Sequence, residues 1–176
     1  HELWTGGSLG LNLNGENMLI GEWDGGLIRE SHQEFENRGT QKDGANNLSD
    51  HATHVGVTLV GKGVNAGAKG MSAKALLDAY YWDNDESEMA SAAANGLLIS
   101  NHSYGLVTGW WEDKTENKWK WLGDTTISSQ VDWKYGYYDW QSKDWDEIAF
   151  NAPNYLIFKS AGNDRGSKLP AGVSIH

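Results

Sequence analysis

The segment MLIGEWDGG, residues 18–26, decides how the rest of this sequence is interpreted. Its first half is apolar, as in a short buried strand, and the Gly25-Gly26 pair stops that strand directly after Asp24. Open α/β sheets present reactive groups at the carboxyl ends of their parallel strands. The segment therefore predicts a strand over 18–23 that delivers the Asp24 carboxylate to a tight turn.

A second segment, SDHATHVG at residues 49–56, opens a predicted helix over 51–61 and carries two histidines on its first turn. Ser49 or Asp50 can cap this helix by accepting from its first free N–H groups, and the spacing predicts that Val55 and Leu59 face a core. The helix dipole disfavours added positive charge, so a histidine there tends to stay neutral and able to accept a proton. On this segment alone, a catalytic histidine and a mere packing role remain equally open.

A metal pair is the weaker interpretation of the two histidines. Zinc helices of peptidases space their histidines at i and i+4 around a glutamate. His51 and His54 lie at i and i+3 without one. The spacing therefore disfavours zinc.

Strand and helix patterns then alternate to the end of the sequence. Residues 29–50 form a predicted polar loop, and a helix capped by Asp85 or Ser87 and another over 138–152 separate the remaining strands. The predicted strands lie at 74–82, 97–103 and 155–161. This alternation is typical of a parallel sheet with crossover helices, so the predicted fold class is α/β.

Composition limits the function further. The 176 residues carry 24 acidic and 14 basic side chains, a net charge of −10, which makes nucleic acid and anionic membranes poor partners. With no cysteine, disulfides, thiol catalysis and cysteine-ligated zinc are excluded. No apolar run approaches membrane-spanning length and no signal peptide is present, while the first residue, His1, predicts a removed leader or a sequence that begins mid-chain.

Three predicted element ends carry polar side chains that suit acyl transfer: Asp24, His51 and Asn163. In a parallel sheet these ends converge across one crevice. An acid orients the imidazole, the imidazole shuttles a proton, and an amide donates to a developing oxyanion.

These residues also stand in motifs that resemble the subtilisin-like serine peptidases (subtilases), over roughly residues 18–166. The matching segments are IGEWDGG at 20–26 with His32 and Phe35, DHATHVG at 50–56, KGMSA at 69–73, SYG at 103–105 and SAGND at 160–164. Each motif is weak by itself, but their order along the chain is that of the family. The resemblance is greatest to secreted bacterial members, so a secreted bacterial protein is expected.

The resemblance implies a role for each matching residue. It implies a three-layer fold with a mostly parallel sheet and helices on both faces. It makes His51 the general base, Asp24 the orienting acid, Asn163 the oxyanion donor and His54 a structural neighbour. Substrate would be held by Ser103, Tyr104, Gly105, Ser160, Ala161 and Gly162. No cofactor is expected for the chemistry. The resemblance also allows structural calcium, but the sequence does not assign its ligands.

The sequence departs from the family pattern in two ways. Asp50 and Ala52 replace glycines beside His51; the added methyl is expected to be harmless and the added carboxylate to raise the pKa of His51. The serine motif of the family does not occur, and Ser72 and Ser174 lack its surroundings. Residues 1–176 therefore match the first two-thirds of a subtilase domain, and a complementary C-terminal fragment carrying the serine is the expected partner.

Ten tryptophans are unusual in a chain of this length, and most of them cluster late in the sequence. Residues 106–136 show no helical period and are expected to include an insertion. Its tryptophans can pack a hairpin, line subsites or stack on sugar rings. The expected function is serine endopeptidase acting on proteins or peptides; the alternative is a non-catalytic binding or regulatory module that uses this tryptophan-rich face.

Overall fold

The computed structural model describes residues 2–44 and 47–166, and it confirms the predicted α/β class. Five strands form one parallel sheet in the order β2-β3-β1-β4-β7. The strands are β1 (Leu19–Asp24), β2 (Gly39–Gln41), β3 (Leu76–Tyr81), β4 (Ile99–His102) and β7 (Leu156–Lys159). The helices are α1 (Asp50–Val60), α2 (Asp85–Ala94) and α3 (Trp140–Asn151).

The two faces of the sheet are covered by different helices, because successive side chains of a strand point to opposite faces. Ile20 of β1 belongs to a buried cluster with Val57 and Val60 of α1. Trp23, which points the other way, belongs to a second cluster with Met89 of α2 and Ile148 of α3. The architecture is therefore three-layered, with the sheet in the middle.

The chain divides into two compact units, His1–Tyr104 with Trp145–Ser160 and Gly105–Asp144 with Ala161–His176. The sheet, α1 and α2 lie in the first. In the second, β5 (Trp110–Asp113) and β6 (Lys118–Trp121) form an antiparallel hairpin in the tryptophan-rich segment. Within it the ring centroids of Trp110 and Trp121 lie 5.3 Å apart. A carboxylate oxygen of Asp113 lies 2.6 Å from Nζ of Lys120. The predicted hairpin is thus present.

Several local predictions were wrong. The segment 29–50 is not all loop, because β2 pairs with β3 within it. Asn84, rather than Asp85 or Ser87, is the N-cap of α2. On α1 the buried residues are Ala52, Gly56, Val57 and Val60. Of the two residues predicted to face the core, Leu59 packs against the first cluster, as predicted, whereas Val55 is only partly buried and is not part of that cluster.

Ser174, considered as a nucleophile, lies outside the described residues, as does His1. In the described part of the chain, every helix is too short or too polar to cross a membrane.

Candidate active site

Asp24 ends β1 at the carboxyl edge of the sheet, and its side chain is almost completely buried. One of its oxygens, Oδ1, accepts the backbone N–H of Gly25 at 2.7 Å. This bond orients the carboxylate within the turn that follows the strand. Asp24 is therefore a fixed acceptor at the point where the sheet ends.

The glycine turn allows the start of α1 to approach that carboxylate. A Cβ on Gly26 would lie 2.8 Å from the Cβ of Ser49, closer than side chains can stand. Two backbone bonds complete the junction: Leu27 N–H to the Asn47 carbonyl at 3.0 Å, and Ser49 N–H to the Leu27 carbonyl at 2.8 Å. The turn after β1 and the residues before α1 are thus held together.

Helix α1 begins with the predicted cap. The Ser49 hydroxyl oxygen accepts the Ala52 backbone N–H at 3.0 Å, which satisfies one of the free donors of the first turn. Ala52 is buried and belongs to the first core cluster, which agrees with the expectation that its methyl group is harmless. Asp50 is exposed in the first turn, where its carboxylate interacts favourably with the positive end of the helix dipole.

His51 lies against Asp24, as the sequence predicted. Its Nδ1 is 2.9 Å from Oδ1 and 2.8 Å from Oδ2 of the Asp24 carboxylate. An ionised carboxylate only accepts hydrogen bonds, so Nδ1 carries the hydrogen and Nε2 keeps its lone pair. The His51 side chain is 59% exposed. The arrangement is an oriented imidazole whose second nitrogen is open to take up a proton.

Two other residues of suitable chemical type, Asp78 as an acid and Ser72 as a nucleophile, lie elsewhere in the fold. Asp78 lies in the middle of β3 and pairs with Lys42 at 3.2 Å. Ser72 precedes β3, at the amino end of the sheet, whereas Asp24 ends β1; a six-residue strand separates the two ends by roughly 17 Å. His54, expected to be a structural neighbour of His51, has an exposed side chain.

The predicted substrate residues follow two neighbouring strands. Ser103 and Tyr104 continue from β4, Ser160 continues from β7, and the Ser160 N–H donates to the His102 carbonyl at 3.0 Å. Because β4 also pairs with β1, Ser103 follows the strand next to the one that ends in Asp24. The structure brings these three residues to the same edge as the Asp24–His51 pair.

The other predicted site residues belong to the second unit. These are Gly105, Ala161, Gly162 and Asn163. All four are exposed, and Gly162 has a positive φ of 89°, a conformation that glycine adopts without strain. Their predicted roles stay predictions.

Trp82, which the sequence analysis missed, lies beside the site. A Cβ on Gly25 would come within 2.7 Å of its ring, and the ring centroid is 5.3 Å from that of Tyr104. The indole is 40% exposed and forms an aromatic surface between the Asp24 turn and Tyr104. No motif marks it, because its position depends on the end of β3 meeting that turn.

Glu22 was also missed, although it is the most unusual group near the pair. It stands two residues before Asp24 on the same face of β1, is fully buried, and neither carboxyl oxygen makes a hydrogen bond within the described part of the chain. A Cβ on Gly56 of α1 would lie 2.7 Å from Oε2. Burial first, and then the charge of Asp24, raise the pKa of Glu22 well above its ordinary value. The Glu22 carboxyl group therefore keeps its proton to a higher pH than an exposed glutamate does.

A signal for Glu22 existed in the sequence. Central strands of parallel sheets are buried on both faces, so an acid within such a strand must be buried too. Glu34 is also a buried glutamate, but its carboxylate is hydrogen-bonded. It accepts the backbone N–H groups of Gly63, Val64 and Asn65 at 2.6 to 3.0 Å. Although burial opposes it, these bonds lower the pKa of Glu34.

Among residues 2–44 and 47–166, no three or more histidine, aspartate or glutamate side chains form a group that could hold a metal ion. The expected structural calcium stays a prediction, since backbone and amide oxygens also bind calcium.

Comparison with known proteins does not assign the chain to a family, since no family model matches it. No curated protein matches it either.

Proposed function

We propose that this chain is the part of a subtilisin-like serine endopeptidase that carries the acid and the base of the catalytic triad. The observation that carries the proposal is the Asp24–His51 pair, in which a buried carboxylate holds Nδ1 of an exposed imidazole at 2.8 Å. General bases need this orientation and an open second nitrogen. The order of the motifs around Asp24, His51 and Asn163 supports the family assignment.

In the proposed reaction, a serine hydroxyl attacks the carbonyl carbon of a peptide bond. Nε2 of His51 takes the hydroxyl proton and later gives it to the leaving amine. Asp24 keeps the productive tautomer and stabilises the imidazolium that forms. Asn163 donates to the oxygen that becomes negative, and the segments at 103–105 and 160–162 hold the substrate in an extended conformation.

The serine is proposed to come from a segment outside this sequence. An exposed apolar surface near β7, at one end of the sheet order, supports this: Leu156 is 56%, Phe158 51% and Phe150 85% exposed. Within the described residues β7 pairs only with β4. Apolar surface of this kind, beside an unpaired strand edge, suits a segment that extends the sheet. Secretion from a bacterium is part of the same proposal and rests on the resemblance alone.

The test is labelling of the natural protein with a fluorophosphonate probe, followed by mass spectrometry of the labelled peptide. We expect one labelled serine, on a segment outside these 176 residues. The label should disappear in His51→Ala, because the serine then has no base, and persist in His54→Ala, whose side chain is exposed on the same helix.

The absence of any label, together with the absence of peptide hydrolysis, would overturn the proposal in favour of the binding module. A label that persists unchanged in His51→Ala would overturn the assignment of the base.

A further inference from the structure

Five polar side chains form a buried hydrogen-bond network behind the predicted substrate segment. Tyr155 donates to Ser100 at 2.6 Å, Ser100 and Nε2 of His102 are 2.9 Å apart, and so are Nδ1 of His102 and the Tyr104 hydroxyl. Tyr104 donates to Asp85 Oδ2 at 2.5 Å. We call this set the His102 network. All its members lie in the first unit.

The network has one direction of donation. The Tyr104 hydroxyl has a single hydrogen and gives it to Asp85, so it must accept from Nδ1–H of His102. Nε2 of His102 then has no hydrogen and accepts from Ser100, whose own oxygen accepts from Tyr155. The hydrogen bonds thus fix His102 as the Nδ1–H tautomer.

His102 also stays neutral. It is fully buried between the rings of Trp23 and Trp145, and burial, with the nearby charge of Lys159, lowers the pKa of His102 to about 3. At the other end, burial and then Glu86 raise the pKa of Asp85 to about 6, so its carboxylate is available above that pH. Neither nitrogen of His102 is open to solvent or substrate.

Tyr104 is the member that reaches the predicted site, and it is held from three elements. Its hydroxyl is fixed by Asp85 at the start of α2 and by His102 of β4. Lys159 of β7 lies with Nζ 3.9 Å from the Tyr104 ring centroid and donates to the Tyr104 carbonyl. The hydroxyl of Ser160 lies 3.4 Å from the same carbonyl oxygen.

We propose that the His102 network is a positioning device for the substrate segment, with His102 and Lys159 as positioning residues that act through Tyr104. This inference rests on the proposed peptidase function. Consecutive carbonyls of an extended segment point to opposite sides. Because the Tyr104 carbonyl is held towards β7, the Ser103 carbonyl points towards β1. There it accepts a hydrogen bond from a substrate peptide that lies beside Asp24 and His51.

The first measurement needs no activity. The ¹⁵N shifts of His102 in the purified protein should report the neutral Nδ1–H tautomer, unchanged between pH 7 and pH 9, where the Asp85 carboxylate accepts from Tyr104. Tyr104→Phe removes the acceptor of that hydrogen and should release some of the other tautomer. Tyr155→Phe makes the same change at the far end of the network and should leave the tautomer as it is.

The second measurement is peptide hydrolysis by the protein that the fluorophosphonate probe labels. Tyr104→Phe should raise KM by about tenfold, because the segment loses the ordering effect of the hydrogen bonds from its hydroxyl to Asp85 and from His102, with kcat within about threefold. Tyr155→Phe should keep KM within about twofold. Lys159→Met, which changes an exposed side chain and so should fold, should raise KM while leaving the His102 tautomer unchanged.

Once labelling of a separate sample has identified the active enzyme, equal KM values for unlabelled wild type, Tyr104→Phe and Lys159→Met would overturn the positioning role. A titrating His102, or a dominant Nε2–H tautomer, would overturn the network itself. Failure of the peptidase proposal gives a different result, since the tautomer would stand while the label and hydrolysis were both absent.

Discussion

His51 and His102 are both bonded through Nδ1 to an oxygen, yet they are suited to opposite tasks. The His51 side chain is 59% exposed and its Nε2 makes no hydrogen bond to any described residue, whereas His102 is fully buried with both nitrogens bonded. Burial depth and the second nitrogen, rather than the first hydrogen bond, separate the proposed proton carrier from the structural histidine. The contrast lies within one sheet, because Trp23 of β1 pairs in register with His102 of β4.

The largest effect should follow from disturbing the His51 tautomer. Asp24→Asn keeps the shape of the acid but offers an amide donor to Nδ1, which favours the Nε2–H form that cannot accept the serine proton. We expect kcat for peptide hydrolysis to fall by about 10²- to 10⁴-fold. Steady-state kinetics of the unlabelled variant and wild-type enzymes measures this.

The matched control is Asp78→Asn, the same change on the neighbouring strand, where the acid pairs with Lys42. Its kcat should stay within about threefold of wild type. Similar losses in both variants would mean that Asp24 acts through stability alone.

The buried histidine should matter for stability instead. His102→Phe keeps a ring between Trp23 and Trp145 but leaves Ser100 and Tyr104 without their partner, so unfolding free energy should fall by about 2–4 kcal/mol. The pKa of His102 is lowered to about 3 from an ordinary 6.5, so its stabilising contribution is complete above pH 6.5 and is lost as the pH falls towards 3. The difference in unfolding free energy between His102→Phe and the wild type should therefore be smaller at acidic pH. Urea unfolding at pH 7 and pH 4 measures both.

His54→Phe provides the control for that series, because its side chain is exposed. It should change stability by less than about 0.5 kcal/mol at either pH. A His102→Phe protein as stable as the control would show that the network contributes nothing.

Glu22 tests whether the core beneath His51 tolerates charge. Its folded pKa is raised above the ordinary 4.5, so the native state binds the proton more tightly and stability falls as the pH rises above 4.5. Glu22→Gln removes that loss, and its advantage over wild type should grow by about 1.4 kcal/mol per pH unit until the folded pKa is reached. Thermal or urea unfolding from pH 5 to pH 8 checks the slope; Glu112→Gln, an exposed control, should show none.

The sequence was sufficient for the parts of the site that local chemistry fixes. Asp24 before a glycine turn and His51 after a capping serine each follow from a few neighbouring residues, and the structure brings them together. Glu22 and His102 were not found, because their importance depends on burial between layers and on partners far along the chain, such as Asp85 and Tyr155.

Short or irregular elements were missed for a related reason. Strand β2 has three residues, and its polar sequence GTQ carries no strand pattern; it is extended because it pairs with β3. The prediction for α1 did not include Gly56, which is buried because it lies so close to the sheet that a Cβ would meet the side chains of Glu22 and Leu77. Neither fact can be read from periodicity.

The smallest effect should come from the cap that places His51. Ser49→Ala removes the oxygen that accepts the Ala52 N–H, so the first turn of α1 should fray and unfolding free energy should fall by about 1 kcal/mol. Asn84→Ala is a matched control, because Asn84 is the N-cap of α2 but makes no side-chain cap bond, and it should change stability by a few tenths of a kcal/mol at most. Since Asp24 still holds the imidazole directly, kcat in Ser49→Ala should fall by less than about tenfold, far less than in Asp24→Asn. A loss as large as that of Asp24→Asn would show that the start of the helix, rather than the carboxylate, orients His51.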